Sequence, residues 1–134
     1  MENSTSETVR AYYKGLKENA WEPYIAEDMV FNSPTTKSYT KSAYVQATKR
    51  FLQTVKSVEV SQLLIDGSNA CALAQYSLRS PNGDPAVCDV AEILSVKDDK
   101  IRSSTIYFDT EAFHAFIAPF AAAFKEGRLT TGTV

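Results

Sequence analysis

Hydrophobic positions recur at helical spacing in the first third of the chain and at strand spacing afterwards. Val9, Tyr12, Tyr13, Leu16 and Ala20 lie on one helical face. They predict an amphipathic helix opened by Thr5 or Ser6, with Glu7 and Thr8 in its first turn. Trp21 begins a second short helical piece, with Pro23 where a first turn tolerates it. Met29, Val30 and Phe31 read as a short strand that stops at Ser33-Pro34, because proline cannot donate to a ladder. Ala43, Tyr44, Ala47, Phe51 and Leu52 form the stripe of a further helix begun by Thr40 or Ser42. Strands are then predicted over Val55–Ile65, Ala70–Arg79, Ala86–Val96 and Lys100–Phe108. Turn sequences separate them: Asp66-Gly67-Ser68-Asn69, a Ser80–Pro85 segment containing Asn82-Gly83, and Asp98-Asp99. Asp109-Thr110-Glu111 caps a last helix whose stripe is Phe113, Phe116, Ile117, Phe120, Ala121 and Phe124.

Four successive strands joined by short turns make an antiparallel meander. The expected fold is α+β: a curved antiparallel sheet wrapped around the N-terminal helices. A single domain over 1–134 is expected, with 1–6 and 127–134 as loose tails. If Asn82-Gly83 and Asp98-Asp99 are both two-residue turns, Glu92 faces Leu73 and Thr105, and Val90 faces Gln75 and Tyr107. One face then carries Leu73, Gln75, Cys88, Val90, Glu92, Leu94, Thr105, Tyr107 and Asp109, the mixed lining of a ligand pocket. The other carries Ala72, Ala74, Tyr76, Asp89, Ala91, Ile93, Ile106 and Phe108. A sheet apolar on both sides needs a cover on its outer side, so a two-fold homodimer through the outer sheet face is expected.

Composition narrows the partners. The chain has 134 residues, 44% hydrophobic, with 14 basic and 16 acidic side chains and a net charge of −2. That balance argues against nucleic acid as the main partner, because phosphate binding needs a basic face, and it gives no reason to expect an anionic membrane surface. No apolar run reaches the length of a membrane span. The polar, acidic start lacks the pattern of a secretory signal, and Cys71 and Cys88 are the only cysteines; a reduced, cytoplasmic protein is expected. The single histidine, His114, cannot build a histidine-rich metal site and reads as an exposed helix residue. No glycine-rich phosphate loop or nucleophile elbow occurs, so neither a metal nor a nucleotide cofactor is expected.

Several runs resemble the SnoaL-like branch of the nuclear transport factor 2-like superfamily. They are Val9-Arg10-Ala11-Tyr12-Tyr13-Lys14-Gly15-Leu16 leading into Trp21, and Ala26-Glu27-Asp28-Met29-Val30-Phe31-Asn32-Ser33-Pro34. Later come Ala91-Glu92-Ile93-Leu94-Ser95-Val96-Lys97-Asp98-Asp99-Lys100-Ile101 and Ile106-Tyr107-Phe108-Asp109. The resemblance implies a cystatin-like cone, open at one end to an apolar pocket and often dimeric. It spans polyketide cyclases, ketosteroid isomerases, epoxide hydrolases, dehydratases and non-enzymatic binding domains, so it leaves the activity open.

Against that background the candidate chemistry is an acid/base carboxyl in an apolar pocket. Glu92 is the first candidate, because desolvation raises a carboxyl toward neutral pH; its alternative is a structural carboxyl bonded to Thr105, Tyr12 or Tyr13. By resemblance Tyr12 matches the isomerase's tyrosine donor, but Ser33 stands where the isomerase has its basic aspartate. Asp109 resembles the carboxylate ending the family's last strand, although a helix cap explains it as well. The candidate ligand contacts are Tyr13, Trp21, Gln75, Val90, Thr105, Tyr107 and Phe116. Two functions follow as expectations: isomerase- or cyclase-type chemistry on a small hydrophobic molecule through Glu92, with Tyr12 or Tyr107 donating to an oxyanion, or a non-catalytic homodimeric binding or accessory domain. A third reading makes dimerisation itself the role.

Overall fold

The computed structural model describes residues 4–35, 37–38, 40–79, 83–112 and 115. Helix α1, Ser4–Glu18, buries Val9, Tyr12, Tyr13 and Leu16 along one side. It starts ahead of Thr5 and Ser6, which lie buried within its first turn instead of capping it. It also ends before Ala20. Asn19 adopts a left-handed φ of 58°, and the Ala20 amide donates back to the Gly15 carbonyl at 2.8 Å. The returning chain passes so close that a Cβ on Gly15 would sit 2.7 Å from the Ala20 carbonyl oxygen, so glycine is required there. The short 3-10 turn Glu22–Tyr24, with Pro23 in its opening turn, matches the expected helical piece.

Strand β1, Ile25–Asn32, is longer than the Met29–Phe31 segment that its pattern suggested. A register irregularity between Ile25 and Val30 breaks its alternation and leaves Glu27 and Asp28 exposed in mid-strand. The short strand β2, Lys37–Ser38, folds back against it. Helix α2, Lys41–Leu52, is capped as expected: Thr40 Oγ1 accepts from the Ala43 amide at 3.1 Å. Strands β3 (Val55–Asp66), β4 (Asn69–Arg79), β5 (Pro85–Lys97) and β6 (Lys100–Tyr107) form the expected meander.

The sheet order is β2-β1-β6-β5-β4-β3. The sheet is mixed, not antiparallel throughout, because β1 lies parallel to β6. The long connection through α2 and the meander brings the chain back beside β1 in the same direction, as a parallel neighbour requires.

The register differs from the expectation in an instructive way. The Asp98-Asp99 turn is a two-residue turn, with Lys97 opposite Lys100 and both aspartates at positive φ. A bulge between Ser95 and Val96 then shifts the ladder, so Glu92 lies opposite Ile106 instead of Thr105. In the other hairpin Arg79 pairs with Pro85, so the connection spans 80–84 and Glu92 lies opposite Ala72 instead of Leu73. The prolines flanking Asn82-Gly83 supply no amide for the pairs that a two-residue turn would require. A one-residue slip exchanges the faces of a strand. The concave face therefore carries Ala72, Ala74, Tyr76, Cys88, Val90, Glu92, Leu94, Ser104, Ile106 and Phe108. The convex face carries Leu73, Gln75, Asp89, Ala91, Ile93, Thr105 and Tyr107.

Helix α1 lies in the concavity, and Trp21, Ile25, Met29, Leu94, Ile101, Val9 and Val58 are fully buried there. Cys71 opposes Ile93 and Cys88 opposes Tyr76; both are free thiols on separate rungs. Among the described residues no helix is long and apolar enough to cross a membrane.

Candidate functional site

The site is built where α1, α2 and the concave face of β4–β6 converge. Adjacent positions on a helix point about 100° apart, so Tyr12 and Tyr13 reach different neighbours from one turn of α1. Their rings meet edge-on with centroids 5.3 Å apart. The Tyr12 hydroxyl pairs with that of Tyr44 from α2 at 2.6 Å, and Trp21 packs edge-on against both rings. The Tyr13 hydroxyl donates to Glu92 Oε1, and Ser104 Oγ, on β6, donates to Oε2 at 2.5 Å.

Glu92 is 2% exposed. Removal from water raises its carboxyl above the usual range, and the hydrogen bonds from Ser104 and Tyr13 restrain that rise. Burial likewise holds the phenols of Tyr12, Tyr13, Tyr44 and Tyr76 above their ordinary value, and the Glu92 carboxylate nearby adds to it. These groups keep their protons at neutral pH and act as donors.

Tyr12, Tyr44, Tyr76 and Glu92 border a cavity of about 190 Å³. Leu16, Phe31, Phe51, Leu52, Val90, Ile106 and Phe108 give it apolar walls, and Ser33, Thr35, Thr48 and Cys88 add polar atoms. Burial raises the Cys88 thiol first, and the charges of Asp89 and Asp109 raise it further, so it stays protonated and weakly nucleophilic. Among the described residues no three His, Cys, Asp or Glu side chains gather as a metal site.

Of the expected site residues, the fold brings Glu92, Tyr12 and Val90 to this cavity. Tyr13 reaches Glu92 from outside the cavity, beside a separate groove. Trp21 is core behind the two tyrosines. Gln75, Thr105 and Tyr107 lie on the convex face for the register reasons above; Gln75 donates to Asp89 at 3.1 Å, and Tyr107 is largely exposed. Asp109 Oδ1 accepts from the Glu111 and Ala112 amides, which makes it a cap. Phe116, His114 and the expected final helix beyond Ala112 lie outside the described residues, apart from residue 115.

The cavity also takes in Phe31, Tyr44 and Phe51, which the sequence pattern shows only as a strand residue and helix-stripe residues, and Tyr76, Ile106 and Phe108, which the expected register puts on the outer face. A signal was present in the alternation of Ala72 and Ala74 with bulky neighbours. Both alanines are buried on the side where α1 lies, since only small residues admit a helix that close.

Residues 9–104 match the family model of the SnoaL-like domain. No curated protein matches the chain. Among solved structures, an NTF2-like protein of unknown function from Burkholderia pseudomallei is similar at a TM-score of 0.76 with 13% identity, covering 87% of this chain and 99% of its own. TerC, co-crystallised with polyporic acid, is similar at 0.74 with 16% identity, covering 86% and 98%. A protein of ketosteroid isomerase-like fold from Catenulispora acidiphila, in complex with trimethylamine, is similar at 0.69 with 17% identity, covering 82% and 91%.

Proposed function

The chain belongs to the SnoaL-like domain family, and from that premise we propose that it binds a small, largely apolar molecule bearing a carbonyl or hydroxyl oxygen, on which Glu92 acts as a general acid or base. One observation carries this reading: a buried carboxyl with a raised pKa shares a single apolar cavity with the Tyr12–Tyr44 hydroxyl pair. A dry cavity of about 150 Å³ accepts benzene, so about 190 Å³ suits one ring with a short substituent. Similar folds have been crystallised with polyporic acid and with trimethylamine, in keeping with a fold that houses small organic molecules.

Among the described cavity-lining residues Glu92 is the one carboxyl. Proton transfer would therefore run through Glu92, with the Tyr12–Tyr44 pair donating to charge that develops on the ligand oxygen. A second reading, non-catalytic binding, is favoured by a specific fact: each Glu92 oxygen already accepts a protein hydrogen bond. The two readings separate in one experiment with 2-cyclohexenone in D₂O. Saturable amide shifts at Phe31, Tyr44 and Ile106 together with protein-dependent α-deuteration, lost in Glu92→Gln, are expected. Binding without deuteration favours the second reading, and no saturable binding of single-ring ketones or phenols overturns both.

The convex face supports homodimerisation as part of the same proposal. Leu64, Val87, Ile93 and Tyr107 are 57%, 61%, 48% and 57% exposed there, an apolar surface that a second copy would cover. The free thiols of Cys71 and Cys88 suit a reducing, cytoplasmic setting.

A further inference from the structure

A second concavity lies on the far side of Tyr13, between α1 and β3. Among the described residues β3 is the last strand of the sheet, with β4 as its only ladder neighbour. Five consecutive β3 residues, 59–63, line this groove. Side chains of consecutive strand residues point to opposite faces, so a groove touching all of them runs along the edge of the strand, where the backbone N–H and C=O groups are available for pairing. The opposite wall is the exposed α1 series Arg10, Lys14 and Lys17. Arg10 Nε is held by Ser6 Oγ at 3.1 Å, and none of the three cations forms an ion pair among the described residues.

We propose that this groove docks an extended acidic peptide segment of a partner protein, which adds as a strand to the edge of β3 and turns its carboxylates toward Arg10, Lys14 and Lys17. Apolar side chains alternating with the carboxylates would rest on Val60 and Leu63, both half-buried in the groove. The dimensions agree. Arg10 to Lys17 spans about 10 Å along the helix axis, which matches three to four residues of extended chain at about 3.3 Å each. The bulge between Val60 and Gln62 interrupts the edge inside the groove, so pairing is confined to the short regular runs on either side of it. Glu59 sets the orientation, since a carboxylate on its side would be repelled. Single-stranded nucleic acid is the weaker fit, because the groove offers no exposed aromatic for base stacking and Tyr13 is 4% exposed.

The test is fluorescence anisotropy with labelled eight-residue synthetic peptides alternating Glu with Val or Lys with Val, alongside a labelled oligothymidylate. Saturable binding of the Glu/Val peptide is expected, weakening as salt is raised, with amide shifts concentrated at 59–63. Arg10→Glu combined with Lys17→Glu should weaken it by about tenfold, with circular dichroism reporting that the variant is folded; Lys14→Glu is the milder second variant. Equal binding of the Lys/Val peptide, tighter binding of the oligonucleotide, shifts away from β3, or full affinity in a folded charge-reversed variant overturns the proposal. The cavity chemistry at Glu92 is untouched by any of these outcomes.

Discussion

Replacing Glu92 by Gln keeps the side-chain volume and the planar head but removes the titrating proton, and the structure dictates how stability must then respond to pH. The carboxyl is buried, and its folded-state pKa lies above the ordinary value of 4.5. Between those two values the unfolded chain releases the proton while the folded protein retains it. The folded state binds more protons there, so wild-type stability falls as pH rises, by about 1.4 kcal/mol per pH unit for a single site, and levels off above the folded-state pKa. Asp28, whose carboxyl is lowered chiefly by its hydrogen bond from Arg102, acts in the opposite sense only near and below its ordinary value of 3.8, and it acts equally in both proteins. The stability of Glu92→Gln relative to wild type should therefore climb through the window above pH 4.5, whatever fixed cost the lost hydrogen bonds from Tyr13 and Ser104 impose. Urea titration followed by the fluorescence of Trp21, the sole tryptophan and fully buried, reads this difference at each pH. Parallel wild-type and variant profiles from pH 4.5 upward, or a wild type that gains stability over that range, would refute the assignment of a raised carboxyl to Glu92.

Three further outcomes follow from the geometry. Gly15→Ala pushes a methyl against the Ala20 carbonyl, and thermal melts should show a loss of about 1–3 kcal/mol, whereas Gly67→Ala has no such neighbour and should lose only through its positive φ. Tyr44→Phe strands the Tyr12 hydroxyl and should cost about 1–3 kcal/mol in denaturant titration, against less than about 0.5 kcal/mol for Gln75→Ala on the convex face. Ile93→Arg with Tyr107→Arg places charge on the convex apolar face; light scattering should report a monomer with an unchanged circular dichroism spectrum, and a wild type that is already monomeric would remove the dimer from the proposal.

Much of the fold was legible because its signals are local. The helical spacing of Val9, Tyr12, Tyr13 and Leu16, the Thr40 cap, and the Asp98-Asp99 turn each depend on a few neighbouring residues and on their own steric and hydrogen-bonding preferences. The inward position of Glu92 was legible for the same reason: on β5 it shares the period-two face of Val90 and Leu94.

Which residues meet Glu92 was decided by tertiary structure. One bulge between Ser95 and Val96, and a connection over 80–84 longer than its Asn-Gly pair suggested, exchanged Thr105 and Gln75 for Ser104 and Tyr76. The prolines beside Asn82-Gly83 disfavour the short hairpin from within the turn, whereas the bulge between Ser95 and Val96 has no turn residue to announce it, and a period of two turns a one-residue difference into a change of face. The parallel pairing of β1 with β6, and the cavity left between Tyr12, Tyr44 and the sheet, likewise arise only once segments far apart in the chain pack together.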